Sequence, residues 1–262
     1  MKIKKYFTIF KISLRNALYY GKNFFGGVLM YILFIYVFFR LWGAIYTGDL
    51  IAGYTYKQII WYVCITEIIA MAISTNKIYE MSEEIKNGAI AYQLGRPYNY
   101  ILYLFSNVMG VSFLSIAIYF VIGFSFGTIL VGLPPVYSIE AIVFFAASLL
   151  LGLVIQFFLM MSIGLTAFFV EENRPFFFIY QKFILLLGTF IPIEFFPAWM
   201  QTVLKYMPFA YITWGPAKIF VDFSFHHAIS TLSIQLLWAA ISITICFAIF
   251  KKGVKAVHVH GG

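Results

Sequence analysis

Six runs of mostly apolar residues divide this chain and constrain it more than any other feature. They are roughly Phe24–Tyr46, Gln58–Tyr79, Ile101–Val131, Ala141–Val170, Phe176–Ile193 and His227–Phe250. A helix needs about 20 consecutive apolar residues to cross the hydrocarbon core of a bilayer. No water there satisfies an open backbone, so a crossing segment must be a helix or part of a closed barrel. Segments of about ten alternating residues, the barrel pattern, are absent. The pattern predicts an all-α integral membrane protein of six transmembrane helices. The third and fourth runs exceed the necessary length, so they tilt or protrude.

Composition agrees. Only 11% of the 262 residues are charged and 63% are hydrophobic, too few charges for a soluble domain to cover itself. The net charge of +8 would suggest nucleic acid in a soluble protein. Here its distribution is topogenic instead. With the N-terminus in the cytoplasm, the inner segments carry the basic residues from Lys2 to Lys22, then Lys77, Lys86, Arg96, Arg174, Lys251, Lys252 and Lys255. The outer segments carry Arg40, Lys57, Lys205 and Lys218. This is a positive-inside bias, and six spans return the C-terminus to the cytoplasm. The basic N-terminus followed by a long apolar run does not read as a cleavable signal. Cys64 and Cys246 fall inside apolar runs and read as lipid- or core-facing thiols.

The chain reads as a single domain, 1–262, with three segments outside the spans. In 1–23, Ile3, Phe7, Phe10, Leu14 and Leu18 recur at helical spacing, with Lys4, Lys11 and Arg15 on a neighbouring face. That predicts an amphipathic helix in the inner interface, or a plain topology anchor. In 80–100, the main cytoplasmic connection, Ser82 to Lys86 can start a short helix, Gly88 can end it, and Pro97 blocks continuation into the third span. In 194–226 the chain is outside yet rich in aromatic residues and proline. Pro197 can open a short helix that runs through Met207 and ends at Pro208. Phe195, Phe196, Trp199, Tyr206, Tyr211 and Trp214 suit the headgroup layer. This predicts interfacial or re-entrant helices capping the outer side, against an ordinary loop with an aromatic belt.

Chemical motifs are few. The sequence holds no G-x-x-x-x-G-K-[ST], H-E-x-x-H or C-x-x-C, and no metal-binding acidic cluster. The adjacent His226 and His227 point different ways, and His258 and His260 sit at the chain's end. Gly123 to Gly127 fits G-x-S-x-G, so an intramembrane serine hydrolase using Ser125 with His226 or His227 is one alternative. The same residues read as G-x-x-x-G, which lets helices approach closely. Glu67 lies near the middle of the second run, and Lys182 about two turns into the fifth. Both are intramembrane polar groups that could belong to a transport pathway or serve structure. An ATP-independent carrier or channel using Glu67 is the other alternative.

Three stretches carry a resemblance to the membrane subunits of bacterial ABC exporters of the ABC-2 class. The first is Glu84-Ile85-Lys86-Asn87-Gly88-Ala89-Ile90-Ala91-Tyr92-Gln93-Leu94 followed by Arg96-Pro97. It looks like that family's connection between spans two and three, with Leu94-Gly95-Arg96-Pro97 where one branch has Leu-Leu-Arg-Pro. The second is Gly188-Thr189-Phe190-Ile191-Pro192, then Phe196-Pro197, Met207-Pro208-Phe209 and Pro216, similar to the family's outer end of span five and its cap. The third is the basic ending Phe250-Lys251-Lys252-Gly253.

The resemblance implies a permease subunit in the bacterial cytoplasmic membrane that exports an amphiphilic or hydrophobic drug, lipid or peptide. It implies no cofactor on this chain, with ATP and Mg held by a separate ABC ATPase in two copies. A second permease chain, the same or related, would complete the pathway. Glu80, Glu83, Glu84, Lys86, Gly88, Leu94, Arg96 and Pro97 would couple to the ATPase. Glu194, Pro197, Trp199, Pro208 and Phe209 would build the outer cap.

Overall fold

The computed structural model describes residues 2–48, 50–135 and 138–260, except the side chains of residues 2, 3, 22, 23 and 256–260. Ile3 of the amphipathic stripe, and His258 and His260, lie outside the described side chains. The helices in chain order are α1 (Lys2–Tyr19), α2 (Phe25–Ile45), α3 (Tyr56–Ala72), α4 (Asn76–Lys86), α5 (Ile90–Leu94) and α6 (Tyr100–Val131). They continue as α7 (Ile139–Leu165), α8 (Arg174–Ile184), α9 (Ala198–Leu204), α10 (Pro208–Val221) and α11 (Phe225–His260).

Five helical stretches among the described residues are long and apolar enough to cross a membrane: Phe25–Ile45, Tyr56–Lys86, Tyr100–Val131, Ile139–Phe168 and Phe225–Lys255. The predicted fifth run takes a different form. It is α8, 11 residues, extended by a π-helical turn of 5 residues, Leu185–Thr189. Together they rise about 24 Å, shorter than an apolar core of about 30 Å.

The boundaries have local causes. A capping box opens α3, with Thr55 and Gln58 bonding reciprocally. The Asn99 side chain accepts from the Leu102 N–H to open α6, and Ser138 does the same for Ala141 at α7. Gly132, at φ 80°, ends α6.

Three boundary expectations need correction. The second predicted run breaks at Ile73-Ser74-Thr75, where two hydroxyl residues, of a kind that competes poorly for helix, follow a β-branched one. The short helix expected after the second run therefore starts at Asn76 rather than Ser82, and residues 76–79 belong to it. Pro208 both ends the segment after α9 and opens α10 at its first turn. The basic ending is no separate tail, since α11 continues through it.

Burial divides the bundle. In the stretch containing α3, 72% of the most apolar window is buried, against 17% in α2 and 22% in α6 and α11. A helix apolar on every side belongs at the centre. Trp61, Tyr62 and Cys64 are all fully enclosed there. Around α3 stand α2, α6 and α10, and α10 packs in turn on α7 and α11. The one-sided helices keep residues such as Leu29, Val121, Ile129, Leu236 and Leu237 exposed on their outer faces.

Gly152 of α7 lets α10 approach: a Cβ there would stand 2.8 Å from the Ile212 carbonyl oxygen. The predicted G-x-x-x-G face packs as such, with Gly123 against Tyr31 and Gly127 against Trp61. Cys64 and Cys246 are buried free thiols.

Candidate functional site

Two constellations of chemistry-bearing side chains stand out, one where α4 and α5 meet the inner ends of α7 and α11, and one inside the bundle around Glu67. An outer hub at Glu194 completes the frame.

The inner constellation begins with buried polar bonds. Ser82 Oγ of α4 donates to the Gly164 carbonyl of α7 at 3.1 Å. Asn173, 1% exposed, donates to Ser82 Oγ and to the Gly164 carbonyl, both at 3.1 Å. A buried amide must find such partners, so Asn173 clamps α4 beneath α7. Around this clamp runs an exposed ion-pair cluster. Glu83 meets Lys86 and Arg174, each at 3.4 Å, and Lys86 also meets Glu172 at 3.5 Å. The Arg174 backbone N–H, with Lys86 and Arg174 nearby, holds the Glu172 carboxyl below the usual carboxylate range.

Gly88, at φ 78°, then turns the chain, a conformation that suits glycine. The short α5 that follows carries Tyr92, 72% exposed, with the Arg96 guanidinium stacked on its ring at 4.7 Å. Leu94 lines a groove with Gly95, Phe250 and Val254. Glu84 is drawn inward, accepting from Tyr100 Oη at 2.7 Å. The Pro97 carbonyl accepts from Lys5 at 3.0 Å, which ties α1 to the same loop. Glu80 does not join the cluster. It pairs with Lys77 and lines a cavity of about 620 Å³ facing α1 and α6.

On α1 itself, Ser13 is buried and accepts from Asn107 of α6 at 2.8 Å. Phe7 and Leu18 of the predicted apolar stripe are more than half exposed.

At the outer side, Glu194 accepts from Tyr54 Oη at 3.0 Å and Trp214 Nε1 at 3.1 Å, and pairs with Lys218 at 3.4 Å. Lys218 also reaches Asp222 at 2.7 Å and lies over the Tyr54 ring. Burial, helped by Glu194, holds the Tyr54 hydroxyl well above its ordinary pKa. Pro197 caps α9, and Trp199 is 71% exposed. Phe209 stacks on Phe183 at 5.3 Å.

The headgroup-layer assignment fails for Tyr211 and Trp214. Both are buried because α10 packs inside the bundle rather than over it. Nothing in hydropathy separates a core aromatic residue from an interfacial one.

Inside the bundle, Glu67 is 2% exposed and its Oε1 has no partner among the described residues. It lines a cavity of about 210 Å³ with Phe34, Met71, Gln156, Met160 and Tyr180. The neighbouring Gln156 escaped the sequence reading, as did Asn173, Ser82 and Gln235. Each is a polar side chain in or beside an apolar run, where the cost of burial is itself a signal. Lys182, grouped with Glu67 by sequence, is not brought near it; its ammonium lies over the Phe178 ring at 5.0 Å.

The hydrolase arrangement is not assembled. Ser125 Oγ donates to the Val121 carbonyl of its own helix at 2.8 Å. His227 Nε2 is buried without a hydrogen-bond partner among the described residues, and His226 is exposed.

This is an all-helical multi-pass membrane protein whose second apolar stretch ends in a folded inner element, α4 and α5. The chain belongs to the ABC-2 family transporter proteins, whose family model matches residues 25–261. No curated protein matches it. Members of this family are membrane permease subunits of ABC transporters, not enzymes in themselves, and generally dimerise and work with an ATPase subunit.

Proposed function

We propose that this chain is the permease subunit of an ATP-driven exporter of amphiphilic or hydrophobic substrates in the bacterial cytoplasmic membrane. Two copies of a separate ATPase, carrying ATP and Mg, dock beneath α4 and α5. A second permease chain stands beside this one. The observation that carries the reading is the exposed Tyr92–Arg96 stack at α5, one Gly88 turn beyond α4, which Ser82 and Asn173 clamp beneath α7. A docking element must present side chains outward and pass force inward; α4 is bonded to α7 through Ser82, and α5 borders a groove with α11.

The reading includes six crossings with both ends inside. Arg174, at the start of α8, touches Glu83, and Glu194 touches Tyr54 just before α3. The segment 174–194 thus runs from the α4 end of the Tyr56–Lys86 stretch to the loop that opens α3, as a sixth crossing requires. The α9–α10 segment is then a re-entrant hairpin, with Phe209 deep and Lys218 near the outer surface.

The test is affinity purification of the tagged protein from native membranes in mild detergent. A stoichiometric P-loop ATPase should co-purify, and the double variant Tyr92→Ala, Arg96→Glu should lose it while staying monodisperse. A clean preparation without ATPase, with transport persisting in its absence, would replace the exporter by an ATP-independent carrier.

A further inference from the structure

We propose that the cavity around Glu67 is an intramembrane binding site for the protonated amine of a lipophilic amine substrate. The inference rests on the permease reading and names a substrate class for it.

Chemistry at the cavity argues for a donor. Glu67 and Gln156 are 2% and 4% exposed, and the Oε1 of each lacks a partner among the described residues. An unmade bond to a buried polar atom costs about 1–3 kcal/mol. Other buried polar atoms, among them Ser112 Oγ, Ser148 Oγ and Thr213 Oγ1, also lack partners among the described residues, but Glu67 and Gln156 are the pair that lines one cavity together. Some neighbours are bonded. Thr66 Oγ1 donates to the Thr189 carbonyl at 2.8 Å, and Tyr62 Oη to that of Gly188 at 2.7 Å. Two acceptors from different helices, α3 and α7, face one space of about 210 Å³ and neither is matched.

The lining also argues for a positive charge. None of the lining residues is Lys, Arg or His, so the carboxyl has no built-in cation. Lys182 lies over the Phe178 ring and outside the lining, and Lys77 pairs with Glu80 in the neighbouring cavity. The neutral donors in the lining, Thr75, Gln181 and the Gln156 amide, bond neither oxygen; an ammonium group supplies the missing charge, and its three N–H groups can bond both acceptors.

The rest of the wall suits the body of an amphiphile. Met71 and Met160 are adaptable apolar surfaces. Phe34 and Tyr180 offer aromatic faces to a cation or an aryl group. Met71 also lines the larger cavity of about 620 Å³ that Lys77 and Glu80 border, at the break between α3 and α4. The site therefore lies beside a polar space on the inner side, where an exported amine would enter.

The experiment is equilibrium binding to the purified permease in nanodiscs, without ATPase or nucleotide. The probes are dansylcadaverine, a lipophilic primary amine, and its N-acetylated form, which keeps the body and loses the charge. The wild type should prefer the amine by about tenfold or more, the scale of one bond to a charged group. In Glu67→Gln the preference should fall to about twofold or less, and Gln156→Leu should lower it in part. Met160→Trp, which fills the space, should weaken both probes, and it serves as the test if Glu67→Gln does not fold.

Equal binding of both probes to the wild type overturns the proposal. So does a preference that survives in Glu67→Gln, or unchanged binding in Met160→Trp. These outcomes are independent of the exporter reading. Amine binding without any ATPase partner would retain the site and remove the motor, whereas an ATPase that co-purifies with a permease blind to the amine would do the reverse.

Discussion

The Glu83–Lys86–Glu172–Arg174 cluster on the inner side and the Glu194 hub on the outer side contain similar chemistry but hold the protein differently. The inner side chains are mostly exposed, Arg174 at 69% and Glu172 at 55%, so water screens their pairs. Exposed pairs contribute about 0–1 kcal/mol each. What fixes α4 is the neutral clamp of Ser82 and Asn173. At the hub, Glu194 and Lys218 are 26% and 15% exposed, and neutral donors from Tyr54 and Trp214 converge on the same carboxylate. Directional bonds to one partly desolvated charge join the loop before α3, the turn after α8 and the middle of α10. The outer side is therefore fastened by charge, and the inner side by buried amide and hydroxyl groups under a soft ionic surface.

This contrast can be broken in order of effect. Glu194→Ala should cost the most, about 3 kcal/mol, because it strips partners from two buried donors and one lysine. Thermal unfolding of the purified protein in detergent reads it, and an unchanged midpoint would dissolve the hub. Asn173→Ala should cost about 2 kcal/mol by the same assay, since it leaves the Gly164 carbonyl and Ser82 short of a buried partner. It should also speed proteolysis or hydrogen exchange in α4 more than elsewhere.

Arg174→Ala should cost no more than about 1 kcal/mol, because its pairs are exposed. A loss as large as that of Asn173→Ala would mean that the inner cluster, too, is fastened by charge. Raising salt from low to molar ionic strength should lower the midpoint of the wild type least of all. Any shift it causes should shrink in Arg174→Ala, which removes one exposed pair to Glu83 and leaves those of Lys77 and Lys86.

How much of this was legible in the sequence depends on which force set each feature. Apolar run length gave four of the spans within a few residues, since the bilayer imposes the same requirement on every crossing. It failed at Ile73-Ser74-Thr75, where a three-residue preference against helix ends the apolar run and an amphipathic helix begins at Asn76. It failed again at α10, because a buried re-entrant helix and an interfacial aromatic belt share one composition. Of the inner residues chosen by resemblance, Glu83, Lys86, Leu94 and Arg96 stand near the exposed face. Glu84 is turned inward by Tyr100, and Glu80 belongs to another cavity. Those positions were set by tertiary partners 16 to 91 residues away, Tyr100 for Glu84 and Arg174 for Glu83, which no local pattern encodes.

Between Phe225 and Lys252 the last helix contains neither glycine nor proline. Its 36 residues span about 54 Å. Its inner end borders α5 at Leu94 and Gly95, and near its outer end His227 meets Trp214. The second crossing is built the opposite way, cut at Ile73–Thr75 into two rods. One leg of the molecule is thus a beam and another an elbow, both reaching the same inner face. Under the proposed docking at α5, the partner would therefore stand beside one helix without a joint and another with its joint next to the Glu67 cavity.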